Sequence, residues 1–203
     1  GPMLMSGLFT ASAGGAAVGV PIQDGWLYDE ASARWLPWSD TMAEMWPRYG
    51  HAVAASPDGK MVISHGGLSS ESGELGTIDT LVLHDVVTKT SHLVTVLEGS
   101  DVLSVQRANH SLTVIDQTDD TLTILVHGGT GLGAGEPVTV KGQITWDSDS
   151  EGFKISWAGL GDLQSTCRTG HGAAWDPVNA RLVVAGGHVA QPFPDVTMAI
   201  STV

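Results

Sequence analysis

The stretch RYGHAVAASPDGKMVISHGG, Arg48 to Gly67, decides the fold because the chain repeats its pattern twice more. The pattern recurs as RANHSLTVIDQTDDTLTILVHGG from Arg107 to Gly129, and as RTGHGAAWDPVNARLVVAGG from Arg168 to Gly187. Each copy has an Arg, a His three residues later, two apolar runs around a turn, and a Gly-Gly pair. The Arg positions 48, 107 and 168 give a period of about 60 residues, which indicates a repeat architecture.

The apolar runs in each copy have the length and composition of β-strands. In the first copy, HAVAAS and MVISHGG flank PDGK, a hairpin turn that places Gly where a positive φ is needed. Two more runs follow each of the first two Gly-Gly pairs, namely TLVLHD with HLVTVL and QITWD with FKISW. No segment sustains the apolar spacing of a helix, although SDTMAEMWPRYG fits one short helical turn. We therefore predict an all-β fold built from units of four strands, a to d.

The four-stranded unit with a Gly-Gly pair after its second strand resembles the kelch repeat of β-propellers. In that family an aromatic residue ends the third strand, and a Trp follows seven positions later. Tyr28 and Trp35 have this spacing, and Trp146 and Phe153 have it too. The resemblance implies a kelch-like β-propeller segment of four-stranded antiparallel blades, in which the repeated Arg and His residues are structural.

The middle unit departs from the kelch pattern at both of these places. It has His84 and Ser91 where the other units have aromatic residues. This departure predicts looser packing of the outer strands of that blade, or a modified edge.

We expect one propeller domain with two complete and two incomplete blades. In the first blade GLFTASAGG predicts strand b, followed by GWLYDE and ARWLPW as strands c and d, and in the last blade DVTMAIST predicts strand c. The first two residues of the chain are typical of a tag-cleavage scar. The expected units are residues 1–47 (strands b to d), 48–106, 107–167 and 168–203 (strands a to c).

A propeller usually closes with about four to eight blades. An arc that stays open would expose strand edges and blade faces, which favours aggregation. We therefore expect either a longer chain or a second copy to complete the ring. Two arcs of about three and a half blades would make a ring of about seven, within the usual range.

The repeated Arg and His positions are the first candidates for chemistry, because histidines bind metals and transfer protons. Equivalent positions in successive blades lie on a circle, however, whereas the ligands of one metal ion sit about 2 Å from it. We therefore interpret these side chains as bonding the backbone at blade junctions, where burial would otherwise leave polar groups unpaired. The six junction residues are Arg48, His51, Arg107, His110, Arg168 and His171.

The loops after the Gly-Gly pairs are the candidates for partner binding, because loops on a rigid scaffold often carry recognition. LSSESGELGTID and TGLGAGEPVT would lie on one face as b–c loops, with acidic side chains that attract a basic peptide. The G-x-G patterns of the second loop precede a strand, whereas a dinucleotide site requires a helix there. The candidate partner-binding residues are Glu71, Glu74, Gly131, Glu136 and His188.

Other motifs give no catalytic or metal site. DSDSEG, Asp147 to Gly152, resembles the first half of a calcium loop, but Ala158 stands where the bidentate Glu is required. We expect a solvated turn there. The chain has no G-x-S-x-G, no H-E-x-x-H and no paired-Cys motif. We expect no catalytic residue, no bound metal and no cofactor.

Composition narrows the class of partner. The formal net charge of -13 predicts no nucleic-acid partner, since binding to phosphates depends on Lys and Arg clusters. A lone cysteine, Cys167, fits a reducing, cytoplasmic compartment. No apolar run approaches the roughly 20 residues that span a bilayer, so no membrane partner is expected.

These observations predict a non-catalytic protein-interaction module with its partner-binding b–c loops on one face. Two alternatives remain open. One is an enzyme that uses a small molecule or metal in the central propeller pocket, a hypothesis motivated by His65, His127 and Asp79. The other is an architectural segment that completes a ring as a homo-oligomer.

Overall fold

The structure, a computed structural model, describes residues 8–13, 16–21, 24–38, 47–70, 75–97, 105–132, 137–160, 167–189 and 200–202. All regular elements in these ranges are β-strands. Within them, no helix has the length and apolar character needed to cross a bilayer. In chain order the strands are β1 Leu8–Ala13, β2 Ala16–Pro21, β3 Trp26–Asp29, β4 Arg34–Pro37, β5 Ala52–Ala55, β6 Met61–His65, β7 Leu68–Ser69, β8 Gly76–Thr77, β9 Leu81–Asp85, β10 Thr90–Val96, β11 Ser111–Gln117, β12 Thr121–His127, β13 Thr139–Asp147, β14 Gly152–Leu160, β15 Arg168–Asp176, β16 Arg181–Val189 and β17 Ile200–Thr202.

Two complete four-stranded blades confirm the predicted fold class. In the second blade, β5 pairs with β6, β6 with β9 and β9 with β10, all antiparallel. In the third blade, β11 to β14 pair in chain order, also antiparallel. The short strands β7 and β8 form a hairpin inside the b–c loop of the second blade. The chain is thus an all-β propeller segment.

The two complete blades are joined at their outer strands, which the sequence did not predict. Strand β10 pairs in parallel with β14, from Val94 opposite Phe153 to Val96 opposite Ile155. Outer strands carry unpaired backbone N–H and C=O groups, and this pairing satisfies some of them. The result is one eight-stranded sheet whose end strands, β5 and β11, lie against each other, so that the sheet is nearly barrel-shaped.

The first and last blades are incomplete. In the last blade β16 lies between β15 and β17, and β17 falls within the run DVTMAIST. In the first blade β3 pairs with β4. The run GLFTASAGG, expected as strand b, contains β1, which pairs with β2, a strand that the sequence analysis did not predict. The run AAVGVP follows directly in the chain, so this pairing closes only a short loop. The helical turn predicted for SDTMAEMWPRYG falls mostly on residues 39–46, outside the described residues.

The main core lies between the second and third blades. It contains Ile63, Leu83, Ile124, Ile155 and Trp157, each at most 3% exposed. Six of the seven residues of β12 are buried, because blades cover both faces of this strand. Strands buried on both faces lose the alternation of apolar and polar residues, which explains the continuous apolar run LTILV.

One tight turn occurs four times in the described chain. In each, an Asp at the end of a strand accepts hydrogen bonds from the backbone N–H groups that follow. Asp85, for example, accepts from Val87 N at 2.7 Å and from Thr88 N at 3.0 Å. The residue four positions after the Asp has a φ between 50° and 58°. The four turns run from Asp29 to Ala33, Asp85 to Lys89, Asp147 to Glu151 and Asp176 to Ala180.

The calcium-like run DSDSEG is one of these turns. Asp147 pairs with Lys154 Nζ at 2.6 Å and accepts from Ser150 Oγ at 2.5 Å. The bond to Lys154, together with the bond to Ser150, lowers the pKa of the Asp147 carboxyl to about 2. The Asp147 carboxylate of this run therefore stabilises the turn between β13 and β14.

Replacing Ala180 with Gly is expected to raise the free energy of unfolding by roughly 0.5–1 kcal/mol, because Gly adopts a positive φ without the steric cost of a Cβ. Urea denaturation measures the change. The matched control is Ala174→Gly inside β15, which should lower stability because Gly weakens a strand. An Ala180→Gly protein no more stable than the parent would contradict the turn assignment.

Candidate functional site

Each repeated Arg binds the Gly-Gly end of its own blade. Arg48 is fully buried, and its Nη1 donates to Gly66 O at 3.1 Å and to Thr80 O at 3.2 Å. A buried guanidinium needs acceptors, and these carbonyls provide them at a strand end where the sheet ladder stops. The equivalent bonds are Arg107 Nη1 to Gly128 O at 3.3 Å and Arg168 Nη1 to Gly186 O at 3.0 Å.

The backbone of Arg107 and that of Arg168 also contact the preceding blade. The carbonyl of Arg107 accepts from Gly67 N at 2.9 Å. A Cβ added to Gly66 would lie 2.5 Å from that same carbonyl oxygen and 2.8 Å from His110 Cε1. Only Gly fits here, because Cβ atoms do not approach backbone so closely. The next junction repeats this arrangement, with Gly129 N donating to Arg168 O at 2.7 Å.

Histidines from neighbouring blades meet at these junctions. His65 Nδ1 lies 3.0 Å from His110 Nε2, and the two rings are nearly perpendicular, at 83°. One ring donates its N–H to the lone pair of the other, so at least the accepting ring is neutral. At the next junction His171 Nε2 bonds Ser111 Oγ at 2.9 Å, and its ring centroid lies 5.3 Å from that of His127.

Burial lowers the pKa values of these imidazoles. Desolvation, with a smaller contribution from the positive charge of Arg48, brings the pKa of His51 and of His84 to about 4. Desolvation likewise lowers the pKa of His110 to about 3 and that of His65 well below its ordinary value. These rings are therefore neutral at pH 7. None of them is an imidazolium that could release a proton at that pH.

The structure does not bring the histidines proposed for an enzyme site to one centre. His65 belongs to the junction of the second and third blades, whereas His127 belongs to the next junction and bonds Thr139 Oγ1 at 2.8 Å. Asp79 is half-buried in the b–c loop of the second blade. Among the described residues, no three His, Cys, Asp or Glu side chains are grouped to hold a metal ion.

The departure from the kelch pattern in the middle unit forms a buried polar chain that the sequence analysis missed. His84 bonds Ser64 Oγ through Nε2 at 2.9 Å and Ser91 Oγ through Nδ1 at 2.8 Å. His84 and Ser91 are direct cross-strand neighbours, as Tyr28 and Trp35 are in the first blade. Each pair is seven residues apart in the sequence. This spacing therefore already indicated that His84 and Ser91 lie opposite each other. Ser64 and His84 are both fully buried, so this Ser–His pair is closed to substrates.

The candidate loop residues are only partly described. Glu71, Glu74 and Glu136 lie outside the described residues, and His188 is exposed near the end of β16. Gly131 has a φ of 97°, and a Cβ there would lie 2.6 Å from Thr77 Cγ2. The b–c loops of the second and third blades therefore touch each other.

Among the described residues, none covers one face of the last blade. Gly172 lies opposite Ala185, and Ala174 lies opposite Val183, all four of them exposed. We call these four residues the open blade face. The equivalent residues of the second blade include Ile63, which is fully buried against the third blade. A Cβ on Gly186 would meet nothing within 4 Å.

The fold is similar to that of the solved structure of YjhT, with a TM-score of 0.52 and 12% sequence identity. The match covers 80% of this chain and 50% of that one, so this chain spans about half the length of the solved structure. At this identity the likeness shows the fold alone. No protein-family model and no curated protein matches the chain.

Acid is expected to destabilise the protein between pH 6.5 and about 4. In the folded chain the pKa of His51 and that of His84 are about 4, whereas the ordinary pKa of histidine is 6.5. The unfolded state therefore binds more protons in this interval, and the free energy of unfolding falls as the pH falls. Each ring contributes a slope of about 1.4 kcal/mol per pH unit. Urea denaturation at pH 7.5, 6.0 and 5.0 measures it.

The matched variants for this experiment are His84→Gln and His188→Gln. His84→Gln should reduce the pH slope because it removes one buried ring, while His188→Gln changes an exposed position and should leave the slope intact. A stability that stays constant from pH 7.5 to 5.0 would show that the histidines are not held neutral by burial.

Proposed function

We propose that the chain is a kelch-like, non-catalytic propeller segment that acts as a protein-interaction module through its b–c loops. The observation that carries this proposal is the contact between Gly131 and Thr77, which joins the two loops at one end of the blades. Neighbouring loops that touch form one continuous surface, and such a surface can bind a partner wider than a single loop reaches.

The junction chemistry supports the same function. Arg–carbonyl bonds and histidine contacts hold the strands that lead into each loop. Loops mounted on such strands lose little conformational entropy on binding. The loops contain Glu71, Glu74 and Glu136, and the whole chain has a formal net charge of -13. A basic peptide or a basic protein surface is the partner that this charge favours.

The test is capture of partners from cell extract on the immobilised protein, read by quantitative mass spectrometry and followed by titration of the strongest partner. The triple variant Glu71→Gln, Glu74→Gln, Glu136→Gln should weaken that partner roughly tenfold, since exposed charge pairs each contribute a few tenths of a kcal/mol or more. Added salt should weaken the parent complex in the same direction.

The matched control removes three carboxylates away from these loops, by Asp116→Asn, Asp149→Asn and Glu151→Gln. All three positions are exposed, and the change in net charge is equal. It should leave the affinity unchanged. If the loop variant binds the partner as tightly as the parent does, the b–c loops are not the binding surface.

A second candidate function, architectural self-assembly, is supported by the open blade face. The other end of the arc also carries exposed apolar residues, Trp26 and Trp35, at 39% and 42% exposure. Leu27 packs against the cluster formed by Trp38 and Val62, of which Val62 belongs to the second blade. The alternation of side chains along a strand therefore turns Trp26 and Trp35 away from that blade. Two copies that meet end to end would cover both faces in a heterologous contact, which closes a ring if the rotation permits.

Self-assembly predicts an oligomer in light scattering at tens of micromolar protein that Val183→Glu converts to monomer, since a carboxylate on the open blade face would be buried without a partner. The control is Val178→Glu in the a–b turn of the same blade, a position 89% exposed, which should leave the oligomer intact. A parent protein that is monomeric at this concentration would exclude this function.

A further inference from the structure

A cavity of about 220 Å³ lies between the second and third blades, at the end of the blades opposite the b–c loops. Its walls come from strands β6, β9, β11, β12, β13 and β14 and from the turn between β11 and β12. The apolar walls include Leu83 and Ile144, which are each 2% exposed, and also Met61, Leu122 and Phe153. A site this small is below the roughly 300–1,000 Å³ of pockets for drug-sized ligands. It has room for one long side chain.

The mouth of the cavity combines an exposed indole with carboxylates. Trp146 lines it and is 52% exposed, with its ring 5.0 Å from that of Phe153. The a–b turn of the third blade brings Asp119 and Asp120 to the same mouth, and both are exposed. Among the described residues that line the cavity, the charged ones are these two carboxylates, and none is Lys or Arg.

The acidic turn is held in place. Thr118 N donates to Thr121 O at 2.9 Å, and Thr121 N donates to Thr118 Oγ1 at 3.0 Å. Gln117 Oε1 accepts from Asp58 N at 3.3 Å, which ties this turn to the second blade. The backbone that carries the two carboxylates is therefore held beside the apolar walls.

We propose that this cavity binds an arginine side chain of a protein partner. The three methylenes of arginine would lie along the apolar walls, since long cationic side chains bury their stems and keep the charged head at the surface. The planar guanidinium would stack on Trp146 and pair with Asp119 and Asp120. This site is separate from the b–c loops and does not depend on the proposed loop surface.

The probe is the capped tripeptide acetyl-Gly-Arg-Gly-amide, titrated into the ¹⁵N-labelled protein and followed by amide and indole N–H shifts. Its neutral counterpart is acetyl-Gly-Gln-Gly-amide. We expect saturable shifts confined to the cavity residues, with a dissociation constant in the millimolar range for the Arg peptide, and no saturation for the Gln peptide. The Trp146 indole signal is assigned by its loss in Trp146→Phe.

Two variants test the charges and the indole. Asp119→Asn with Asp120→Asn, and separately Trp146→Ala, should each weaken the Arg peptide about two- to fivefold or more, the range for an exposed ion pair or cation–π contact. All three positions are at least half exposed or on a surface turn, so the fold tolerates these changes.

The matched control is Asp24→Asn with Glu30→Gln, which removes the same number of charges from the first blade, none of whose described residues lines the cavity. It should leave peptide binding unchanged. Equal weakening by both charge pairs would overturn the proposal in favour of general electrostatic attraction. Equal binding of the Gln peptide would overturn it in favour of a neutral ligand. Neither result would affect capture of a partner by the loops, so the two proposals fail separately.

Discussion

The contact on which the rest of the structure depends is the Gly-Gly end of one blade against the Arg carbonyl and His ring of the next. Gly66 lies so close to Arg107 O and His110 that no Cβ fits between them. The separation of the blades at this point is therefore fixed by backbone against backbone. Apolar side chains, among them Ile63 and Ile124, fill the space between the blades away from this contact. The next junction has the same Gly-Gly pair, Arg carbonyl and His ring. The third and last blades therefore meet in the same way.

This contact decides where function can lie. Burying a guanidinium is costly unless its N–H groups are bonded, and at these junctions carbonyls of the same blade accept them. The imidazoles bond each other or a serine, and burial keeps them neutral. The repeated Arg and His residues are of the types found in catalytic sites, but here they form a polar seam at the blade junctions that positions the blades. The two ends of the blades lie away from this seam, and there loops and turns emerge from strands that the seam holds.

The sequence predicted the elements of the fold much better than their contacts. Strand positions followed from alternating or continuous apolar runs with turn residues between them, and these are local signals. The parallel pairing of β10 with β14 was not predictable, because any exposed strand edge offers the same backbone groups and only proximity selects a partner. The cavity beside Trp146 was not predictable either, since its walls come from six strands of two blades. The His65–His110 contact had a signal, the recurrence of His before Gly-Gly and after Arg, but one linear repeat does not show which copies meet.

The last blade shows that the Gly-Gly half of a junction has the same conformation where no described residue of a neighbouring blade contacts it. Arg168 bonds Gly186 O at 3.0 Å, as Arg48 bonds Gly66 O in the second blade. Gly186 has a φ of 73°, close to the 67° of Gly66, although nothing lies within 4 Å of where its Cβ would be. The conformation that receives a neighbouring blade is thus set by the blade itself and not by the neighbour. An incoming blade would find the half-junction already ordered, so little conformational entropy would be lost on contact. The open blade face is therefore a preorganised surface, in contrast to an apolar strand face that happens to be exposed.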